Sequence, residues 1–426
     1  MKTTPVLRLF AFATAAVAVV SADEVTDWNK ILLQALITPP AVAAPLAQRP
    51  AAIVQAAVFD AVNGIERRYT PLSVTPAAPA GASARAAAVQ AAYASLVHLF
   101  PAQTPTFDQE RALSLAAIAT GPDGDSSESI QRGIDWGQAV ADAIWALRGT
   151  DGFSQAPPPF LGGTAIGQWR PTPPAFAAGL APQMAYMTTW VIASPSQFRP
   201  AGPPKLTSRQ YTADFNETKS MGSLSSPNRT ADQTLYVKFW NSTSPAGFWD
   251  PVATSLAAER QFTLAEKARL LAHLNAALAD AIIGCWDAKY AYAFWRPITA
   301  IQQAASDGNP DTTADPGWTP LITTPPFPEY PSAHSCVSGA AAQILSRYFG
   351  ENAPISVSSD GMPGVARNFS GFAAALDEVK NARVFGGIHF RTACNDGTAL
   401  GSAVGEYILR HALRPVQPES EDQHGR

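Results

Sequence analysis

Six side chains in the C-terminal third of this chain can hold and work on a tetrahedral oxyanion. They are Lys289, Arg296, Ser332, His334, Arg383 and His389. Three are cations, one is a hydroxyl and two are imidazoles. Fixed cations and hydroxyls answer the charge of a group such as phosphate or vanadate through charge-assisted hydrogen bonds. A histidine beside such a group can attack it, ligate it or move a proton to it. The chain has only six histidines, and two of them fall among these residues.

Each stretch alone carries little. Lys289 and Arg296 are two helical turns apart, which predicts one shared helix face that Pro297 kinks or ends. Taken alone, that spacing marks a solvated face more often than a site. Pro331-Ser332-Ala333-His334 stands directly before an apolar helical run, so backbone N–H groups and a helix dipole would meet an anion there. By itself the stretch reads equally as Ser332 capping a helix with His334 at the surface. Arg383 and His389 flank Gly386-Gly387, a pair that permits close backbone approach.

The elements that must position these residues are helices. Ala- and Leu-rich segments with helical periodicity span Ala84 to Leu99, Ser126 to Leu147, Thr263 to Trp286, Ser335 to Phe349 and Leu376 to Phe385. Thr263 and Glu266 form a capping-box pattern at the head of the longest. No sustained period-two alternation occurs, so the expected fold is all-α. Proline- and glycine-rich stretches at 77–81, 152–174, 200–204 and 320–331 read as loops. The stretch at 151–174 is a candidate sub-boundary before a catalytic part at about 250–413.

Composition bounds the rest. The chain is 46% hydrophobic and 15% charged with a net charge of −4, and it has no basic stripe for nucleic acid. Lys2 and Arg8 precede an apolar run from Leu9 to Val20 that is too short to span a bilayer, and Val20-Ser21-Ala22 offers a cleavage site. The expectation is a signal peptide over 1–22 and a secreted or periplasmic protein over 23–413, without stable membrane insertion. Residues 414–426 read as a disordered tail. Cys285, Cys336 and Cys394 have no metal-binding spacing and read as buried small side chains or as one bridge plus a free thiol. Asn216, Asn228, Asn241 and Asn368 begin glycosylation sequons, relevant only in a eukaryotic host.

The ordered set of three stretches resembles the superfamily of vanadium-dependent haloperoxidases and type 2 phosphatidic acid phosphatases. That family's pattern is Lys-x6-Arg-Pro, then Pro-Ser-Gly-His, then Ser-Arg-x5-His-x3-Asp. Further phrases, among them Cys285-Trp286-Asp287-Ala288-Lys289, Phe294-Trp295-Arg296-Pro297, Phe327-Pro328-Glu329-Tyr330 and Gly387-Ile388-His389-Phe390-Arg391, look like the exported haloperoxidase-like branch. Asp27-Trp28-Asn29 and Phe59-Asp60-Ala61-Val62-Asn63-Gly64 extend the similarity towards the N-terminus.

The resemblance implies a helical-bundle core and a vanadate, or phosphate, bound at one site. By it, His389 ligates vanadate, Lys289, Arg296, Arg383, Ser332 and the Ala333 N–H hold its oxygens, and His334 serves as acid–base. Trp286 and Phe327 would line a halide pocket, although aromatic residues are more often plain core. Hydrogen peroxide, a halide and a small organic acceptor would be the substrates. The alternative is an acid phosphatase that cleaves phosphate esters through a phosphohistidine at His389. A third class, a non-catalytic oxyanion binder, is disfavoured because binding alone does not need two histidines. The sequence leaves room for a homo-oligomer.

Three positions depart from the pattern. Ala333 replaces glycine, Ala382 replaces serine, and Ala393 stands where family phosphatases carry the aspartate that orients the nucleophilic histidine. Loss of that aspartate leans towards vanadate ligation. Asp396, nearby in sequence, is the candidate substitute partner for His389.

Overall fold

The computed structural model describes residues 23–121 and 124–416, so the expected signal peptide and the tail beyond 416 lie outside the described residues. Among the described residues the chain forms thirteen α-helices. The N-terminal part holds α1 (Glu24–Ile37), α2 (Gln48–Glu66), α3 (Ala84–Leu99), α4 (Thr104–Thr120) and α5 (Ser127–Gly149). After a long loop come α6 (Arg209–Gly222), α7 (Ala231–Phe239), α8 (Pro245–Glu259), α9 (Leu264–Tyr292) and α10 (Pro297–Gln302). The last part holds α11 (Ala333–Phe349), α12 (Phe372–Phe385) and α13 (Arg391–His411). One antiparallel hairpin, β1 (Ile355–Ser358) with β2 (Ala366–Phe369), pairs Ile355 with Phe369. The fold is all-α, as expected.

Helix α9 is the axis of the molecule. It opens with the expected capping box: the Thr263 N–H donates to Glu266 Oε2 at 2.9 Å and the Glu266 N–H donates to Thr263 Oγ1 at 3.4 Å. Every residue from Leu270 to Lys289 is buried, with α2, α11 and α13 packed around it. Its apolar length would suffice to cross a bilayer, but 94% of that window is buried inside the protein. One hydrophobic core runs from Val25 to Leu413, on both sides of the 151–174 segment.

Carboxylates staple the loops onto these helices. Asp280 on α9 accepts from the N–H groups of Trp190, Val191 and Ile192 at 2.6, 2.8 and 3.0 Å. Asp287, one turn before the end of α9, takes a two-pronged pair from Arg199 at 2.6 and 2.7 Å. Asp60 on α2 likewise holds Leu72, Ser73 and Val74. In this way the long loop before α6 is drawn over α9.

Helices α1, α2 and α13 had no place among the sequence expectations, for a physical reason in the case of α2. Residues Pro50 to Asn63 are all buried, and the polar groups that interrupt this apolar run, Gln55, Asp60 and Asn63, are buried with it. One other expectation changes, and of the two readings of the cysteines the first holds. The tail does not begin at 414: Thr70 and Arg414 exchange hydrogen bonds, and the Val416 N–H donates to Arg68 O at 3.0 Å. All three cysteines are buried and unbridged.

Helices α11 and α13 cross at close range, which brings the start of α11 beside the start of α13. A Cβ on Gly401 would sit 1.8 Å from the carbonyl oxygen of Cys336. Gly401→Ala should therefore destabilise the protein by about 1–3 kcal/mol through overpacking. Gly149→Ala, at an open position, should change stability little. Denaturant unfolding midpoints of the two variants against the parent chain check this.

Candidate oxyanion site

Lys289 and Arg296 meet at the site from two different elements, which corrects the expectation of one shared helix face. Helix α9 ends at Tyr292, and Ala293 turns the chain in the left-handed region (φ 43°). Arg296 is extended, and Pro297 opens α10 rather than ending α9. What unites the two cations is the loop before α11. Lys289 Nζ donates to the carbonyls of Pro328, Glu329 and Pro331 at 2.9, 3.0 and 2.5 Å. Arg296 Nε donates to Phe327 O and its Nη1 to Ile388 O, both at 2.8 Å. Both side chains are fully buried.

Ser332 occupies the N-cap position of α11 yet caps nothing with its side chain. Its Oγ is buried without a partner, while its N–H donates to Ala393 O at 2.9 Å. Ala333 lines the cavity beside it, so its methyl is accommodated there. His334 lies beside the backbone carbonyl of Trp240, and its Nε2 has no hydrogen-bond partner. Burial first, and then the Arg383 charge, holds this imidazole well below the usual histidine range, so it is neutral.

Arg383 shares the same carbonyl. Its Nη1 donates to Trp240 O and its Nη2 to Asn241 Oδ1, both at 3.2 Å, and its Nε is buried and unpartnered. Trp240 and Asn241 were absent from the sequence-derived site. A carbonyl contact leaves no trace in residue type, and Asn241 stood out only as a sequon.

His389 finds its carboxylate in Glu329, not in Asp396. His389 Nδ1 lies 2.9 Å from Glu329 Oε1, which also accepts from the Phe390 N–H at 2.9 Å. Asp396 instead accepts from the Tyr330 hydroxyl at 2.5 Å. The carboxylate fixes Nδ1 as the protonated nitrogen and raises the basicity of Nε2. That Nε2 faces Arg296 Nη1 at 3.2 Å. Thr218 Oγ1 holds the His389 carbonyl at 3.1 Å. Between Arg383 and His389 the chain turns at Gly387 (φ 76°), where a Cβ would lie 2.4 Å from Gly222 O. The signal for Glu329 was present: an acid flanked by prolines three residues before Ser332.

The electrostatics call for an anion. Burial pushes Lys289 down to about 8, Arg296 to about 9 and Arg383 to about 10. Burial also raises Glu329 to about 7, against the pull of the Phe390 N–H and the two neighbouring cations. Four expected site residues carry a buried polar atom with no partner: Arg296 Nη2, Ser332 Oγ, His334 Nε2 and Arg383 Nε. Orphans of this kind are costly unless a ligand satisfies them. This donor set fits a bound oxyanion. Lys289 is the exception, because three carbonyls already take its hydrogens.

Ala333, His334, Arg383 and His389 share a cavity of about 240 Å³. Phe327 stands on its wall. Trp286 lies behind, its ring 5.0 Å from that of Phe327 and its Nε1 donating to Leu180 O at 3.2 Å. Of the expected aromatic pair, one member faces the cavity and the other supports it. Ala382, at the position of the family serine, is fully buried.

Comparison with known proteins agrees with this geometry. Residues 269–418 match the family described as the VCPO second helical-bundle domain. Vanadium chloroperoxidase of Curvularia inaequalis is 31% identical over 195 residues, a match covering 38% of this chain and 31% of that relative's length. A bacterial vanadium-dependent iodoperoxidase superposes with a TM-score of 0.80 at 26% identity, covering 92% of this chain and 98% of the other. The apo form of a bacterial vanadium-dependent chloroperoxidase shares the fold (TM-score 0.70, 17% identity, 88% and 96% covered). Helical architecture, motif order and these matches agree in their similarity to the vanadium haloperoxidase superfamily, with residues 269–418 matching its second helical-bundle domain.

Proposed function

We propose that this protein is a vanadium-dependent haloperoxidase that oxidises a halide with hydrogen peroxide. The observation that carries the reading is the set of four partnerless buried atoms on Arg296, Ser332, His334 and Arg383, beside a histidine whose Nε2 lone pair is fixed by a carboxylate. When bound, vanadate supplies Lewis acidity that activates peroxide. The protein supplies everything around it. His389 offers Nε2 as the ligating atom, with Glu329 holding its tautomer. Arg296, Arg383, Ser332 and the Ala333 N–H bind oxygens, and Lys289 adds charge through a site of low dielectric. His334 Nε2, neutral and unpartnered, can accept a proton from incoming peroxide and return it to departing water. Phe327 gives the halide a weakly hydrated wall. The pattern of residues 1–22 supports export of a protein whose single functional unit is 23–413.

A phosphatase reading keeps one supporting observation. Glu329 restores the carboxylate whose loss at Ala393 argued against phosphohistidine chemistry. A split sample decides between the two. One half receives vanadate, peroxide and iodide or bromide, and the other a chromogenic phosphate ester without vanadate. Halide oxidation that requires vanadate and disappears in His389→Ala is the expected result. Ester hydrolysis without halide oxidation would replace this reading with the phosphatase.

Glu329→Gln removes the charge behind His389 but keeps an acceptor. Vanadate affinity should fall about 10- to 100-fold, the usual effect of losing an outer-shell partner. Titration of the metal-free protein with vanadate measures it.

Lys289 titrates at about 8 in the free protein, and a bound anion raises that value by favouring the charged form. The complex then holds more protons than the free protein above pH 8. Relative to Lys289→Met, which shares every other titration, phosphate affinity should therefore weaken above pH 8 by up to about tenfold per pH unit. Calorimetry across that range, with Lys289→Met losing this dependence, provides the check.

A further inference from the structure

We propose that Glu378, a carboxylate outside the cavity, is a positioning residue that sets Arg383 through the indole and carbonyl of Trp240. This rests on the oxyanion site described above, whichever reaction that site performs. Trp240 closes α7, and its carbonyl accepts from Arg383 Nη1 at 3.2 Å and lies beside His334. A carbonyl can aim a working side chain only if it is itself held. Two bonds hold this residue. The Trp240 N–H donates to Tyr236 O at 2.9 Å, and its indole Nε1 donates to Glu378 Oε1, also at 2.9 Å. Glu378 and Arg383 both stand on α12, so one helix grips Trp240 by its indole donor and by its carbonyl.

The indole is fully buried among Phe239, Phe248, Trp249 and Phe369. A buried indole N–H without an acceptor is costly, so the ring follows the carboxylate. Glu378 is fixed in turn by Arg367 on β2, which donates to it from Nε at 3.0 Å and from Nη2 at 2.5 Å. Such a two-pronged pair sets orientation as well as distance. The two side chains are only 18% and 13% exposed, so this is not a solvent-screened surface contact. Arg367 also reaches Asp232 at 2.6 and 3.2 Å, joining the first turn of α7 to the carboxylate that holds its end. Plain core packing would make the Trp240 ring matter to stability and leave the folded protein's affinity for an anion unchanged. A clamp changes that affinity, because Arg383 is one of the donors to the anion.

Calorimetry of inorganic phosphate binding to the full, metal-free chain reads the position of Arg383. Glu378→Leu should weaken binding about tenfold, the low end of the cost of losing an outer partner that orients a ligand. Glu378→Gln keeps an acceptor for the indole and should recover most of that loss. Trp240→Phe removes the indole donor but keeps the carbonyl, and should weaken binding about as much as Glu378→Leu. The double variant should bind no more weakly than either single one, because both substitutions break the same bond. Phe248→Leu loosens the packing on the ring (centroids 5 Å apart to the nearest 0.1 Å, at 4.9 Å) and keeps the bond, so it should lower the thermal midpoint and leave phosphate affinity unchanged. If Trp240→Phe does not fold, the contrast between Leu and Gln at 378 decides alone. Unchanged affinity in Glu378→Leu, equal weakening by Leu and Gln, losses that multiply in the double variant, or equal weakening by Phe248→Leu would overturn the clamp while the oxyanion site stands. A parent chain that binds no phosphate would overturn the site and the clamp with it.

Discussion

Three cations, Lys289, Arg296 and Arg383, are carried into the interior of this protein, and the carboxylate that reaches two of them is Glu329. Burying charge without compensation is expensive, and much of the surrounding structure can be read as the answer to that cost. Carbonyls of residues 327–331 and 388 satisfy Lys289 and Arg296, and the Trp240 carbonyl satisfies Arg383. These are neutral partners. They solvate the cations without neutralising them, and the remaining positive field is what a bound oxyanion would meet.

The same arrangement gives two histidines different characters. His389 is backed by a carboxylate and turns Nε2 towards Arg296. His334 is backed by a carbonyl, and its Nε2 has no protein partner. A carboxylate behind the first would make it the stronger ligand in the proposed reaction, whereas a carbonyl behind the second would leave it a weaker base able to release a proton it has taken. Both roles depend on the crossing of α11 and α13, where a missing Cβ at Gly401 lets the two helices approach.

Much of the site was legible because charged and hydroxyl side chains must be written in the sequence to be used. Lys289, Arg296, Ser332, His334, Arg383 and His389 announced themselves by type and order. Glu329 was legible in principle, but proximity along the chain favoured Asp396, which in the fold belongs to Tyr330. Trp240 was not legible at all, since it acts through a carbonyl that every residue possesses. Gln48 lies far away in sequence and meets the cavity only because α2 packs on α9.

Helix α5 showed its period through a polar face, α3 showed itself by its Ala-rich composition although it is buried almost throughout, and the capping box marked the head of the buried α9. By itself, then, the sequence determined an all-α fold and pointed to an oxyanion as the ligand and to the residues that would hold it. Tertiary structure alone decided which carboxylate serves which histidine, that Lys289 spends its donors on carbonyls, and that Phe327 rather than Trp286 faces the cavity. The reason is that residue type sets what a group can do, whereas the partner left to it depends on which backbone and side-chain atoms the packed helices bring within reach.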